Sequence, residues 1–250
     1  MPAARGTRSG EAEEANEADQ VDHADNAEAA AGRRIRGLDP AERRAQRRQQ
    51  LLDAALELIA TRGYNNTSIE QICQTAYVAT RSFYELFDSK EACYLALLGQ
   101  ISEDLVDRMV AALGELPPDQ PEATRALVAT FAHALVDDPR IARASFGEGA
   151  GISPAVERRR RANRRWAAGF LVDVWERYGL ATARTPAERS HVHRIAVGVI
   201  GGLFDLVVDW LHDTDTSAEP TETEVDALIR DLTDFYELVR DGMVSRSTSP

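Results

Sequence analysis

An all-α fold is predicted for this chain of 250 residues by three observations. Apolar residues recur at helical spacing through every periodic segment, no stretch alternates as a strand would, and one segment after another opens on a capping residue or a proline. With 44% hydrophobic residues the chain can supply a substantial core. Its longest apolar stretch, Ile195 to Leu211, carries Asp205 and Asp209, which are costly in lipid, so it reads as a core helix and no membrane partner is expected. The polar, acidic start has no apolar h-region, which makes the cytoplasm the expected compartment. Cys73 and Cys93 are too few for a disulfide framework and read as small buried residues.

Residues 1–38 are expected to be a disordered acidic tail with a basic end, because they lack the apolar surface that offsets ordering. The first helix starts at Leu38-Asp39-Pro40-Ala41-Glu42, with Asp39 as N-cap, Pro40 at the first helical position and Glu42 closing a capping box. Leu51, Leu52, Ala55, Leu58 and Ile59 form its inner face, and Gly63 stops it. In Thr67-Ser-Ile-Glu70, Thr67 is expected to cap the second helix and Glu70 to complete its box. A break at Tyr77-Val78-Ala79 precedes a third, short helix that turns Phe83, Leu86 and Phe87 inward. Two short helices about three residues apart, packed on a longer one, have the outline of a helix-turn-helix over residues 39–95.

Six more helical segments follow, giving about nine in all. They run from about Ser89 to Leu113, Glu122 to Val136, a short piece after Asp138-Pro139, Ser153-Pro154 to Tyr178, Pro186 to His212 and Thr223 to Met243. Residues 96–245 form a second helical domain.

Charge is distributed unevenly. Residues 1–32 carry 8 acids and 2 arginines, residues 33–90 carry 7 acids and 10 bases, and residues 91–250 carry 26 acids and 17 arginines. The helix-turn-helix outline therefore falls in the only net-basic segment of a chain whose net charge is −12, as a DNA-contacting surface requires. Of 29 formal cations, 28 are arginine; the single lysine is Lys90.

Gly63-Tyr64, Thr67, Ile72, Ala76, Val78, Phe83-Tyr84, Phe87 and Ser89-Lys90-Glu91, in this order and spacing, resemble the helix-turn-helix signature of tetracycline-repressor-type (TetR) transcriptional regulators. The resemblance is specific over about residues 43–95; beyond them it rests on helix number and length. It implies a homodimer that binds palindromic operator DNA through its N-terminal helices, and a C-terminal domain that binds a small effector and dimerises. Such a protein is a ligand-responsive repressor. The alternative is a DNA-binding regulator without a small ligand, controlled by protein partners.

Within the motif, Thr67, Ser82, Tyr84 and Lys90 form a candidate phosphate clamp. Thr80 is set to touch a thymine methyl and Arg81 to grip guanine. The sequence departs from the family pattern at three places: Tyr77 stands where a turn glycine is usual, Ala79 replaces a serine cap, and Glu85 puts an acid where a phosphate-facing base is common. Tyr77 either avoids positive φ or bears strain, and it either packs or reaches DNA. Arg34 and Arg36 suit either a minor-groove arm or a solvated basic linker.

In the second domain, Phe131, Trp166 and Phe170 either line an effector cavity or pack in the core. The run Arg158 to Arg165 reads as a solvated helix surface in preference to a second phosphate site. Val199, Leu203, Val207 and Trp210 with Leu228, Leu232 and Phe235 offer a four-helix dimer interface with their symmetry mates, the other use being closure of the protomer's own core. Gly198, Gly201 and Gly202 would permit close helix approach. His191 and His193, two apart on a helix, cannot share a metal, and Gly147-Glu-Gly-Ala-Gly151 follows a helix, unlike a phosphate loop. No metal or cofactor is expected, and no residues are arranged for catalysis, so the chain does not read as an enzyme.

Overall fold

The computed structural model describes residues 39–147, 152–180, 185–214 and 220–247. The tail, Arg34, Arg36 and most of the glycine run before Ser153 lie outside them. The chain divides into two compact units, residues 1–49 and residues 50–250.

The first unit, described from residue 39, is the opening of α1 (Pro40–Arg62). The Glu42 amide donates to Asp39 Oδ1 at 2.7 Å and the Asp39 amide to Glu42 Oε2 at 2.6 Å, so the expected box closes reciprocally.

In the second unit α1 ends at Gly63, whose φ of 79° is the left-handed stop that glycine adopts without steric cost. Then come α2 (Ile69–Thr75), α3 (Thr80–Tyr84), α4 (Lys90–Gly114), α5 (Gln120–Val136), α6 (Pro139–Phe146), α7 (Pro154–Arg177), α8 (Pro186–Asp213) and α9 (Glu222–Ser247). Among the described residues the regular structure is nine helices. Thr185 and Glu188 form a second reciprocal box at α8, and Ser153 and Asp138 cap α7 and α6 ahead of their prolines.

One cap falls a residue later than the sequence suggested. Ser68, not Thr67, opens α2, and its partner is Gln71, not Glu70. Thr67 is buried, and its hydroxyl donates to the Gly63 carbonyl at 2.9 Å, so it closes the loop behind the helix instead.

Two large cores fill the second unit, beside a small cluster of Leu116, Ala123, Leu127 and Val174. Leu51, Leu52, Ile72, Phe83 and Leu97 make one under α2 and α3, and it takes in Ala144 from α6 and Val156 from α7. The Tyr94 hydroxyl, buried in α4, donates to the Ala144 carbonyl at 2.7 Å. Cys73 and Cys93 form no disulfide and lie inside this core, and burial pushes the Cys73 thiol up, which keeps it unreactive.

The larger core gathers α5, α7, α8 and α9 around Trp175, which is 1% exposed. Although α8 is long and apolar enough to cross a membrane, its Val199, Leu203, Phe204 and Val207 are buried in this core, as those of a core helix are. At Gly202 a side chain would be impossible without rearrangement, because an added Cβ would lie 2.5 Å from the Phe235 ring. The Trp175 indole N–H donates to the Tyr236 hydroxyl at 2.9 Å, giving a buried donor its partner. Burial holds the Tyr236 hydroxyl above its ordinary pKa.

Lys90 adds a second tie beneath α2 and α3. Its ammonium donates to the Tyr64 carbonyl at 2.8 Å and the Thr67 carbonyl at 2.7 Å, and lies 4.2 Å from the Tyr64 ring centroid. The first turn of α4 is thereby clasped to the loop between α1 and α2.

Two stability outcomes follow from these contacts. Tyr236→Phe strands the Trp175 N–H in the core and is expected to cost about 1–3 kcal/mol, read as a lower urea midpoint at unchanged m. Lys90→Met keeps the stem and removes the charge-assisted bonds, with an expected loss of about 1.5–3 kcal/mol; a variant as stable as the parent would show that the clasp contributes nothing.

Candidate nucleic-acid interface and ligand cavities

The break between α2 and α3 is built by backbone hydrogen bonds. The Tyr77 amide donates to the Gln74 carbonyl at 3.2 Å and the Val78 amide to the Cys73 carbonyl at 3.0 Å. This nested pair is a Schellman motif, which places the residue after the C-cap in the left-handed region. That residue is Tyr77, with φ 53°; among the described residues it is the only non-glycine at positive φ. At the end of α7 the same motif carries Gly179, φ 69°, with amides donating to Glu176 and to Trp175. Of the two alternatives the sequence left, strain is therefore the one realised. Tyr77 does not pack either, since it is 98% exposed.

Directly after it, Ala79 opens α3 without a side-chain cap. The helix has only five residues, and its hold on the protein is aromatic: Phe83 is fully buried and lies 5.6 Å from Phe87. Thr80 is exposed, Ser82 is half-buried, and Tyr84 is 55% exposed with its ring edge-on to Phe83. Arg81 has a side chain 91% exposed, 3.4 Å from the Glu85 carboxylate one turn on. An ion pair so exposed is weak and is readily given up for a stronger acceptor. The unexpected acid at residue 85 thus orients Arg81 across the outer face of α3.

Lys90 and Thr67 differ from the sequence expectation. Thr67 is 2% exposed, which withdraws its side chain from the clamp. The Lys90 ammonium points at two carbonyls of its own chain, so its local task is to fix the loop at the start of α2. Sequence reasoning missed Ser68, although Ser68-x-x-Gln71 satisfies the same capping pattern one residue along.

Two cavities lie among the C-terminal helices. The first, about 610 Å³ with part of that volume open to solvent, includes Leu127, Phe131, Phe170 and Tyr236 in its wall. Its polar groups are engaged: Gln120 donates to Thr124 at 3.1 Å, the Tyr178 hydroxyl to the Pro117 carbonyl at 2.7 Å, and Tyr236 accepts from Trp175. The second, about 750 Å³ on the same basis, lies against α4, α6 and α7 and includes Trp166. The three aromatic residues expected around one cavity therefore serve two, with Trp166 stacked on Phe170 at 5.6 Å.

The arginine run is not uniform. Arg158, Arg161, Arg164 and Arg165 are exposed, but the Arg160 side chain is 13% exposed, and it donates to the Ser145 carbonyl at 3.0 Å. Nothing in the run's composition marks Arg160; only its place on the inner face of α7 does.

The expected dimer residues also divide. Val199, Leu203, Val207, Leu228 and Leu232 are buried in the protomer's own core, so they are spent there and are not offered to a mate. Trp210 and Phe235 are partly buried at its edge. Outside that core, a Cβ added at Gly198 or Gly201 would meet open space, and Leu238 is 75% exposed.

Comparison with known proteins agrees with this geometry. Residues 51–97 match the family model of bacterial regulatory proteins, tetR family. The HTH-type transcriptional activator FasR of Mycolicibacterium smegmatis is 29% identical over 183 residues, covering 71% of this chain and 80% of that protein. In fold, the fatty acid degradation regulator FadR from Bacillus halodurans superposes with a TM-score of 0.61 at 20% identity over 78% of this chain and 98% of its own. FadR from Bacillus subtilis in complex with stearoyl-CoA gives 0.60, also at 20% identity, over 78% and 98%. The family match lies on the helix-turn-helix and the shared fold extends well beyond it: residues 51–97 carry the DNA-binding helix-turn-helix of the tetR family of bacterial regulatory proteins, and the chain has the fold of regulators of that type.

Proposed function

We propose that the chain is a cytoplasmic, homodimeric repressor whose residues 39–95 hold palindromic operator DNA and whose residues 96–245 take up a small effector that releases it. The observation that carries the ligand response is the position of α6. Ser145 and Phe146 line the second cavity, while the neighbouring Ala144 is part of the core under α2 and α3. A ligand that displaces α6 therefore acts on the packing beneath the DNA-contacting helices. The stearoyl-CoA complex of the Bacillus subtilis protein is a precedent for ligand uptake in this fold. Dimerisation is assigned to the outer face of α8 and α9 around Gly198, Gly201 and Leu238, where a second helix has room to approach.

On DNA, Thr80 and Arg81 read base edges, and Ser82, Tyr84 and the N-terminus of α2 face phosphates. Lys90 supports that surface from behind and adds positive potential to it. Tyr77, strained and exposed, is assigned to the DNA as well, because strain of this kind persists where function requires it. One observation favours a second reading, in which operator binding activates transcription: the 29% identical relative is named an activator.

The test begins with selection of the operator from random duplexes. The expected product is an inverted repeat whose half-sites lie about 34–36 Å apart, bound with steep salt dependence. A reporter under that operator is expected to rise when the gene is deleted; a fall would establish activation instead.

Arg81→Ala is expected to weaken operator binding by about 1–3 kcal/mol and to relax preference at one base pair. A specificity profile unchanged in the variant would remove Arg81 from base reading. Tyr77→Gly is expected to leave the fold as stable or up to about 1 kcal/mol more stable, since left-handed backbone is costly for a residue with a Cβ. It should at the same time bind the operator several-fold more weakly. Undiminished binding by Tyr77→Gly would show that the side chain has no part in DNA contact.

A further inference from the structure

Resting on the ligand-responsive reading, we propose that the second cavity is the effector site and that it takes an amphiphile with a straight apolar body and a compact anionic head, such as a carboxylate. The two cavities differ in one respect that selects between them. In the first, each polar side chain makes a hydrogen bond within the protein and none is charged, so an anionic head would find no cation there. In the second, the Ser145 hydroxyl is buried, 7% exposed, and has no hydrogen-bond partner. A buried hydroxyl left unsatisfied is uncommon and calls for an explanation, and an acceptor supplied by a ligand is one.

The groups around that hydroxyl fit an anion. Arg160, Asn163 and Arg164 line the same cavity, and none of them is an acid. The Arg160 guanidinium reaches the Ser145 backbone carbonyl, which places a cation beside the orphan hydroxyl. The Asn163 amide donates to Ser102 Oγ at 2.6 Å, and Ser102 in turn donates to the Leu98 carbonyl. That chain fixes the polar wall without an acceptor from outside. Arg164 is exposed and lines the cavity at its open side. The remaining wall, including Leu98, Ile101, Leu105, Leu135 and Phe204, is apolar. A site with donors and cations at one pole and hydrocarbon at the other selects a ligand of matching asymmetry.

The same polarity explains why one arginine of an otherwise solvated run turns inward. A guanidinium that loses most of its water needs acceptors; Arg160 has the Ser145 carbonyl and, at 3.5 Å, Glu157. An incoming carboxylate would add a charge-assisted partner.

The test is calorimetric titration of the full chain at pH 7.5 with sodium hexanoate, sodium decanoate and 1-decanol below their aggregation limits, repeated with Ser145→Ala and Arg164→Gln. Decanoate is expected to bind at least tenfold more tightly than decanol, and each methylene between hexanoate and decanoate to tighten binding by up to roughly fourfold. Either substitution is expected to weaken decanoate several-fold and to leave decanol unchanged. Decanol binding as tightly as decanoate, decanoate affinity indifferent to both substitutions, or no binding by any probe would overturn the proposal. Adding each probe to the operator complex separates this proposal from the reading beneath it. Decanoate bound as expected without releasing DNA keeps the site and sinks the ligand response, whereas release by decanol as readily as by decanoate keeps the response and sinks the anionic class.

Discussion

The helix-turn-helix depends on the ammonium of Lys90. Two short helices, of seven and five residues, are too short to be stable by themselves and take their position from what they pack on. Phe83 and Phe87 hold α3 from beneath, but the loop that sets the start of α2 is held by Lys90, through the Tyr64 and Thr67 carbonyls. The two acceptors approach from different residues of one loop. A compact ammonium with three rotatable donors suits them better than a planar fork made for a single carboxylate. In a chain that uses arginine for 28 of its 29 cations, that geometry is a physical reason for one lysine. Because Lys90 is also the first residue of α4, the clasp joins the helix-turn-helix to a rod of 25 residues whose Leu98, Ile101 and Leu105 form part of the second cavity's wall.

Helix ends were legible in the sequence because their chemistry is local. Asp39 with Glu42 and Thr185 with Glu188 each close within four residues, so reading the residues amounts to reading the bonds. The shift from Thr67 to Ser68 shows where that stops. Both hydroxyls satisfy the pattern, and the choice was made by burial of Thr67 against Gly63, which spacing does not encode. Val199, Leu203, Val207, Leu228 and Leu232, expected at a dimer interface, lie in the protomer's own core for a related reason. An apolar helix face states that it will be covered, not by which neighbour, and here α5, α7 and α9 cover α8 before any second copy can. Lys90 was found as an oddity of composition; its partners lie 23 and 26 residues away along the chain and could not be assigned from its neighbours.

Tyr77 and Gly179 form an internal comparison. The same nested hydrogen bonds end α2 and α7, with φ of 53° and 69° at the corresponding residue. Where nothing but a turn is needed, the chain uses glycine. At the end of α2 it accepts the steric cost of a large aromatic residue that then touches almost nothing of the protein. A local rule broken without a compensating contact inside the molecule points to a compensation outside it.

On the proposed ligand response, the compliance that regulation requires is concentrated in α6. Ala144 and Ser145 are successive residues of an eight-residue helix, so they face about 100° apart, one into the core beneath α2 and α3 and the other into the cavity wall. A displacement of α6 is resisted by the packing of Ala142 and Phe146 on the larger core, by the Arg160 bond to the Ser145 carbonyl and by two weaker polar ties. The Tyr94 bond to the Ala144 carbonyl is neutral, and such a bond contributes about 0.5–1.5 kcal/mol net. The Arg140 pair with Glu57, at 2.9 Å, is roughly half exposed on both sides and is screened by solvent. Arg140 also donates to Asp138, holding that carboxyl below its ordinary range, but this bond lies within the opening turn of α6 and moves with it. Burying two or three methylenes at about 0.8 kcal/mol each exceeds the Tyr94 restraint. Only the part of that energy which differs between the two positions of α6 shifts their populations. A ligand held at its head by α7 and pressing its body on Phe146 has that differential character, because α7 and α6 are the two walls between which the space must open.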